Sequence, residues 1–383
     1  MKLYYHTGWS DCAIHYCPHN DSGAWTTQSL QPVPGAPGWK VADLSNAPEG
    51  ATFVMCNGAK TEWDNPPPSV GGQNYETPKQ SGDYTLRNGR LERIKSGPPV
   101  LVVSDLDHTM VGHDKDPDNN LLKEFKDQWL GRYTFGGSYL VYSTGRNKID
   151  AMSVALELGL LRPQLLICAV GTEVYQVPQD LPLEGAWAEP SNADRITLEP
   201  HWTQKMVESF DRDKVEETLK TVFVKFDVKG NSQTDPYRIP TVYKVDDEYP
   251  EILNTVRAHF GPGVEVISSG GDEYKYVDFC SSQGGKMKGC QFAIDHLNMP
   301  PERTLVCGDS GNDESMYRAP GVRGVAVGNS LPELIAHLGE QSILGPEAVT
   351  KGAIFDTKAG SKVFYANEPV AGAICEALAR FWP

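Results

Sequence analysis

The chain has 383 residues, with 35 basic and 50 acidic side chains and a formal net charge of −15. A surface of that sign repels phosphodiester backbones and anionic lipid, which argues against nucleic-acid and membrane partners. With 39% apolar residues and no run near the roughly 18 that cross a bilayer, the composition suits two or three globular domains with a sizeable core.

Residues 1–95 hold four of the eight tryptophans (Trp9, Trp25, Trp39, Trp63), and their 8 basic and 9 acidic side chains leave almost all the net charge to the remainder. Met1-Lys2-Leu3-Tyr4-Tyr5 lacks the apolar stretch of a secretory signal. The chain is therefore expected to be intracellular: cytoplasmic, or plastid if a transit peptide has been removed. Eight scattered cysteines without a Cys-x-x-Cys pair fit reduced thiols, and the sequon Asn20-Asp21-Ser22 is discounted for want of a secretory signal. Short alternating runs at 2–5, 13–16 and 52–55, separated by Gly/Pro/Asn-rich turns, predict a small antiparallel β-sandwich. Trp39 and Trp9 suit its core. Trp25 and Trp63 stand in polar, turn-like sequence, where a flat aromatic face beside amides suits a sugar ring.

Ser96-Gly97-Pro98-Pro99 is a compact linker. Val100-Leu101-Val102-Val103 then has the continuous apolar pattern of a strand buried on both faces, as in a parallel sheet. Asp105 and Asp107 follow at its carboxyl end, the rim where open α/β sheets bind ligands. Two carboxylates so spaced suit phosphoryl transfer, one attacking phosphorus and the other moving a proton; a solvated acidic turn is the alternative. The polar stretch 112–120 reads as a mobile flap near His108 and His113, neither of which is given a chemical role. A helix is predicted over 121–130 and another buried strand over 139–142. Ser143-Thr144-Gly145-Arg146, between that strand and a helix, offers a hydroxyl, a glycine turn and a helix N-terminus to an anion; an ordinary helix cap is the alternative.

About 140 residues separate this turn from Lys286, too many for one βα step. An amphipathic segment at 213–223, strands at 238–244 and 264–268 and a helix at 249–260 predict an inserted lid. Gly284-Gly285-Lys286-Met287-Lys288-Gly289 then opens a helix over 290–297, and a lysine after a glycine turn can neutralise an attacking aspartate; a surface lysine is the alternative. Strand 303–307 leads into Gly308-Asp309-Ser310-Gly311-Asn312-Asp313, poor core material but a good source of oxygen ligands for a hard cation such as Mg2+. A strand at 324–329 and helices at 331–338 and 370–381 complete the pattern.

Asp105-Leu106-Asp107-His108-Thr109, Ser143-Thr144-Gly145-Arg146, the Lys-Gly pair and Gly308-Asp309-Ser310-Gly311-Asn312-Asp313, in that order, resemble the haloacid dehalogenase superfamily with a large C2-type cap. Together with Val170-Gly171-Thr172-Glu173 and Ser269-Gly270-Gly271, they resemble its sucrose-phosphate phosphatase family over roughly 100–383. The resemblance implies a doubly wound parallel α/β sheet over 100–171 and 277–383, with an inserted α+β cap at 172–276. It also implies Mg2+-dependent hydrolysis of a sugar phosphate, sucrose 6-phosphate first, through an aspartyl phosphate. On this likeness Asp105 is the nucleophile and Asp107 the general acid and base. Thr144, Gly145 and Arg146 seat the phosphoryl group, with Asn312 in support. Lys288 of the Lys-Gly pair is the motif lysine, with Lys286 as the fallback. Asp105, Asp309 and the Asp107 carbonyl surround the metal, whose waters Asp313 holds. Trehalose phosphate or mannosylglycerate phosphate hydrolysis, a mutase, or a non-catalytic glucan-associated protein are the alternatives.

Within 1–95, Gly8-Trp9, Ile14-His15-Tyr16, Gly23-Ala24-Trp25-Thr26, Trp63-Asp64-Asn65, Gly72-Gln73-Asn74-Tyr75 and Gly82-Asp83-Tyr84-Thr85 resemble starch-binding carbohydrate modules of families 25 and 53. The pattern departs from them at Pro66-Pro67-Pro68-Ser69-Val70-Gly71. This resemblance implies an α-glucan platform of His15, Trp25 and Trp63, with starch or a similar glucan as partner.

Overall fold

The computed structural model describes residues 1–21, 23–228, 235–270 and 273–383. Ser22 of the sequon and Gly271 of the Ser269-Gly270-Gly271 motif lie outside them. The chain forms two compact units: Met1–Pro99 with Lys126–Ser138 and Gln179–Ala186, and Val100–Phe125 with Tyr139–Pro178 and Trp187–Pro383.

The strands of the first unit are β1 (Lys2–His6), β2 (Cys12–Pro18), β3 (Thr26–Ser29), β4 (Gln31–Pro32), β5 (Trp39–Asp43), β6 (Ala51–Asn57), β7 (Trp63–Asp64), β8 (Tyr75–Glu76), β9 (Tyr84–Arg87) and β10 (Arg90–Arg93). Its two sheets run β10-β9-β1-β5-β4 and β3-β2-β6-β7, with β8 also paired to β6. Because side chains alternate across a strand, Leu3, Tyr5, Ile14, Tyr16, Phe53, Met55, Tyr84 and Leu86 share one core. The β1–β9 pairing is parallel, so the sheets are rich in antiparallel pairs without being wholly antiparallel. The unit also uses residues from far along the chain. Phe135 stacks on Tyr4 with ring centroids 4.3 Å apart, and Arg87 pairs with Asp127 and Glu184.

The second unit opens with β11 (Leu101–Ser104), the start of α1 (Asn120–Arg132, which belongs to the first unit from Lys126 on), β12 (Tyr139–Ser143), α2 (Lys148–Glu157), β13 (Leu165–Cys168), β14 (Glu173–Gln176), β15 (Thr197–Leu198) and α3 (Pro200–Ser209). A cap follows: α4 (Arg212–Thr221), β16 (Asp227–Val228), β17 (Arg238–Lys244), α5 (Tyr249–Phe260), β18 (Val264–Ser269) and β19 (Tyr274–Ser281). The chain then returns through α6 (Lys286–His296), β20 (Thr304–Gly308), β21 (Arg323–Ala326), α7 (Pro332–Gln341), β22 (Ile354–Asp356), β23 (Lys362–Tyr365) and α8 (Val370–Phe381).

The main sheet runs β15-β14-β13-β12-β11-β20-β21-β23-β22, with β13 through β23 parallel and antiparallel strands added at both ends. Every residue of β11, β13 and β20 is buried, as both-face coverage requires. From β11 the chain builds outward through β12 and β13, then restarts at β20 on the other side. The loops after β11 and β20 therefore lie side by side at a topological switch point, where a ligand crevice forms.

The cap has its own sheet, β16-β17-β19-β18, packed on α4 and α5 through Val215, Leu219, Val256, Val277 and Phe279. Its edges differ from the predicted 172–276. β14 hydrogen-bonds to β13 in the main sheet, and Trp202 and Met206 of α3 join the main core, while β19 carries the cap sheet on to Ser281. The stretch 112–120 is tied down rather than loose. The buried Asp116 carboxylate accepts the backbone N–H groups of Asn120, Leu121 and Leu122 at 2.8–3.1 Å, neutralising the orphan donors of α1.

Gly171 has φ +93°, and a Cβ there would lie 2.4 Å from the carbonyl carbon of Gly285 and 2.7 Å from the Lys286 nitrogen. Only glycine allows this approach. Gly171→Ala is expected to displace the start of α6 and destabilise the second unit by about 2 kcal/mol or more. Urea unfolding measures the effect, and an unchanged midpoint would contradict it.

Candidate active site

Three loops and one helix start converge at the carboxyl rim. Asp105 leaves β11 with its N–H donating to the Cys307 carbonyl of β20 (3.0 Å), which fixes the backbone beside the second acidic loop. Lys286, the first residue of α6, follows Gly285 (φ +98°) and is fully buried. Its Nζ donates to Asp105 Oδ1 (2.8 Å), Asn312 Oδ1 (2.8 Å) and Asp313 Oδ1 (2.7 Å). The other Asp313 oxygen accepts the Asp309 and Ser310 N–H groups, folding the loop after β20 over itself. Thr109 Oγ1 donates to Asp309 at 3.3 Å.

One carboxylate oxygen each from Asp105, Asp309 and Asp313 lies within 4.8 Å of the others. Three buried carboxylates against one ammonium leave two negative charges without a counterpart. Burial, with the neighbouring carboxylates, accordingly pushes the Asp105 and Asp309 carboxyls well above the ordinary aspartate range, against the opposing pull of Lys286. Burial would lower the Lys286 ammonium, but Asp105 and Asp313 outweigh it and hold the proton on. An all-oxygen donor set with surplus negative charge fits a hard divalent cation.

Asp107 lives in different surroundings. Arg146 grips it bidentately, Nε to Oδ2 and Nη2 to Oδ1, both at 2.7 Å, and His113 Nε2 is 2.8 Å from Oδ1. Burial raises its carboxyl, yet these hydrogen bonds prevail and hold it below the usual range. Thr144 is buried, its Oγ1 accepting the Arg146 N–H at 3.1 Å, so it shapes the turn that presents Gly145 and Arg146.

The rim opens into a cleft of about 630 Å3 whose walls include Asp105, Asp107, Gly145, Arg146, Asp309 and Asn312. Cap residues close the other side. Arg238 of β17 donates to the Gly145 carbonyl at 2.8 Å, and Lys275 of β19 reaches Glu333 of α7 at 3.2 Å, whose second oxygen accepts the Gly311 N–H at 2.9 Å.

Lys286, not Lys288, sits beside Asp105. Lys288 lies two residues further along the helix and donates to the Ser282 carbonyl. The glycine following Lys288 drew attention to the wrong residue, and the signal for Lys286 was its place straight after Gly284-Gly285. His113 and Glu333 also escaped sequence reasoning. A histidine in a polar loop and a glutamate opening a helix carry no distinguishing pattern.

In the first unit, His15 of β2 stacks on Trp25 (centroids 4.9 Å apart, 24° between planes) and meets Trp63 of β7 edge-on at 6.0 Å. The two indoles are 42% and 45% exposed, unlike Trp39, which is buried in the core. His15 Nδ1 lies 3.0 Å from Thr27 Oγ1, to which Lys60 also donates.

A doubly wound sheet with an inserted cap, acidic loops after its two central strands and a lysine at the next helix start defines a haloacid dehalogenase-like hydrolase fold. The sequence profile described as sucrose-6F-phosphate phosphohydrolase matches residues 98–382, and the chain belongs to that family. It is 30% identical over 299 residues to probable sucrose-phosphatase 1 of Arabidopsis thaliana, a match covering 76% of this chain and 62% of the relative. With sucrose-phosphatase 1 of Nicotiana tabacum it shares 29% over 297 residues, covering 76% of this chain and 61% of the relative. The chain thus spans under two thirds of the length of these relatives. Among solved structures, the sucrose-phosphatase of Synechocystis sp. PCC6803, in complex with sucrose and phosphate, superposes with a TM-score of 0.57 at 28% identity. That match covers 74% of this chain and 97% of the other.

Lys286→Met, which strands Asp105 and Asp313 without their cation, is expected to cut turnover about a thousandfold or more, whereas Lys288→Met costs about threefold or less. Steady-state phosphate release checks both. Comparable losses, or a larger loss at Lys288, would contradict the placement.

Proposed function

We propose that this chain hydrolyses the phosphate monoester of a sugar, sucrose 6-phosphate first, through phosphoryl transfer to Asp105. The observation that carries the reading is the buried Asp105, Lys286 and Asp313 with the half-buried Asn312, joined by hydrogen bonds of 2.7–2.8 Å at the mouth of a cleft. Family membership supports the substrate class.

In the first step a carboxylate oxygen of Asp105 bonds to phosphorus as the phosphorus–oxygen bond to the sugar breaks, and Asp107 gives a proton to the departing oxygen. In the second, Asp107 takes a proton from water, whose oxygen attacks phosphorus and releases Asp105 together with inorganic phosphate. Lys286 orients Asp105 and offsets its charge, while Gly145, Arg146 and Asn312 receive phosphoryl oxygens. A substrate phosphate competes with Asp107 for Arg146. As the guanidinium turns to it, Asp107 loses two of the hydrogen bonds that hold it ionised and can carry the proton. Asp105, Asp309 and Asp313 would hold Mg2+, which when bound neutralises charge on the transferring group.

The first unit is proposed to bind starch-like α-glucan through His15, Trp25 and Trp63. Support comes from the two exposed indoles gathered around His15, Trp25 stacked on it and Trp63 edge-on to it, which offer apolar faces to the C–H side of a pyranose.

Phosphate release from sucrose 6-phosphate, glucose 6-phosphate and trehalose 6-phosphate tests the enzymatic reading. The expected result is at least about tenfold higher kcat/KM for sucrose 6-phosphate, with activity lost on chelation and restored by Mg2+, and Asp105→Asn inactive. Equal use of all three, chelator-insensitive turnover or an active Asp105→Asn variant would contradict it. Retention on granular starch tests the other half: the unaltered chain should sediment with the granules and the Trp25→Ala/Trp63→Ala double variant should not. Equal retention would remove the glucan reading.

A further inference from the structure

We propose that Asn329, in the loop after β21, is a positioning residue that aims Asp107 at the departing oxygen by clamping the backbone turn behind it. The proposal rests on the proton-transfer role given to Asp107 above and adds the group that holds its turn. That turn is tight: the Leu106 carbonyl accepts the N–H groups of Met110 and Val111 at 2.9 and 2.7 Å. His108, straight after Asp107, has φ +57°, a backbone conformation that a residue with a Cβ adopts at a cost. Asn329 Nδ2 donates to the His108 carbonyl at 2.8 Å. Asn329 Oδ1 accepts the Val370 N–H at 2.9 Å, at the first residue of α8, which is itself left-handed with φ +41°. A backbone N–H can only donate, so the amide has one orientation and its NH2 group faces His108. One side chain thus restrains two strained backbone positions far apart in the chain.

Asn329 has a fixed base from which to act. The Gly328 N–H donates to the Glu368 carbonyl at 2.8 Å, and the Leu331 N–H to the Asp309 carbonyl at 2.7 Å. A Cβ on Gly328 would lie 2.5 Å from the Asn367 carbonyl oxygen, so this loop also lies close against the chain entering α8. The loop after β21 therefore holds the acidic loop after β20 through its backbone and the turn after Asp107 through a side chain. The groups on the Asp107 carboxylate do not replace that hold. Arg146 turns to the phosphate in the reaction proposed above, and His113 belongs to the same segment as Asp107, at a left-handed residue of its own (φ +47°). Asn329 reaches the turn from another element. Proton transfer needs the two oxygens within hydrogen-bond reach, so a small rotation of this turn costs rate at Asp107 and leaves the nucleophile Asp105 in place.

Asn329→Asp separates this role from a merely structural one. Its carboxylate still accepts from Val370 and suits the start of α8, but it cannot donate to the His108 carbonyl. The readout is kcat/KM, which covers the steps up to the aspartyl phosphate, on two substrates. The sugar oxygen of sucrose 6-phosphate needs a proton as it leaves, whereas the p-nitrophenolate of p-nitrophenyl phosphate does not. Asn329→Asp should lower kcat/KM for sucrose 6-phosphate at least about tenfold and that for p-nitrophenyl phosphate by no more than about threefold. Asn329→Ala should behave alike, and Asp107→Asn should show the same selectivity with a larger loss. A ratio of the two values that Asn329→Asp lowers less than about threefold would overturn the proposal, whether both activities fall together or neither does. If Asp107→Asn also leaves the ratio unchanged, the acid role of Asp107 falls and takes this proposal with it. If Asp107→Asn moves the ratio and Asn329→Asp does not, only Asn329 loses its role.

Discussion

A fully buried ammonium is the constraint on which the rest of the second unit depends. Taking Lys286 out of water is costly unless its charge is met at hydrogen-bond distance, and here three oxygens meet it at 2.7–2.8 Å. Those oxygens belong to the loops after β11 and β20, so the lysine can be buried only where the two loops approach. They do so because the chain reverses its direction of sheet growth between these strands. Gly171 and Gly285 let the backbone at the head of α6 come close enough for the side chain to reach. Breaking any of these conditions leaves either an unpaired cation or a cluster of mutually repelling carboxylates.

The same burial separates the two aspartates of the first acidic motif. They stand two positions apart, yet Asp105 lies in a dry, acidic setting that raises its carboxyl, and Asp107 lies under Arg146 and His113, which lower it. Environments that drive neighbouring carboxyls in opposite directions assign them different tasks. The surplus negative charge around Asp105 calls for a cation, whereas the guanidinium on Asp107 offers itself to an incoming anion. Cap and core are joined by contacts that touch both needs, Arg238 at the Gly145 turn and Lys275 through Glu333 at the Gly311 backbone.

Much of this was legible in the sequence because central parallel strands advertise themselves. The stretches at 101–104, 139–143 and 304–308 are short apolar runs ending in polar, glycine-bearing loops, and the acidic loops, the Arg146 turn and the cap elements near 213–268 follow from spacing. What escaped detection depends on contacts far apart in the chain. The helix α6 begins at Lys286, before its apolar spacing starts, so periodicity alone favoured a start near 290 and left two lysines in competition. The capping of α1 by Asp116 turned an expected loose flap into a fixed turn that carries His113 to Asp107. Phe135 entered the first unit from beyond its predicted end, because stacking on Tyr4 is invisible to local pattern. The exposed Trp25 and Trp63 were distinguishable from Trp39 by their polar neighbours, while their approach to His15 required the sheet.

The most direct measurement is an acid quench during turnover of phosphorus-32-labelled sugar phosphate, followed by peptide mapping of the protein. The account predicts label on the peptide containing Asp105, stable in acid and lost in base, and absent from Asp105→Asn. Turnover without covalent label, or label recovered on another residue, would contradict it.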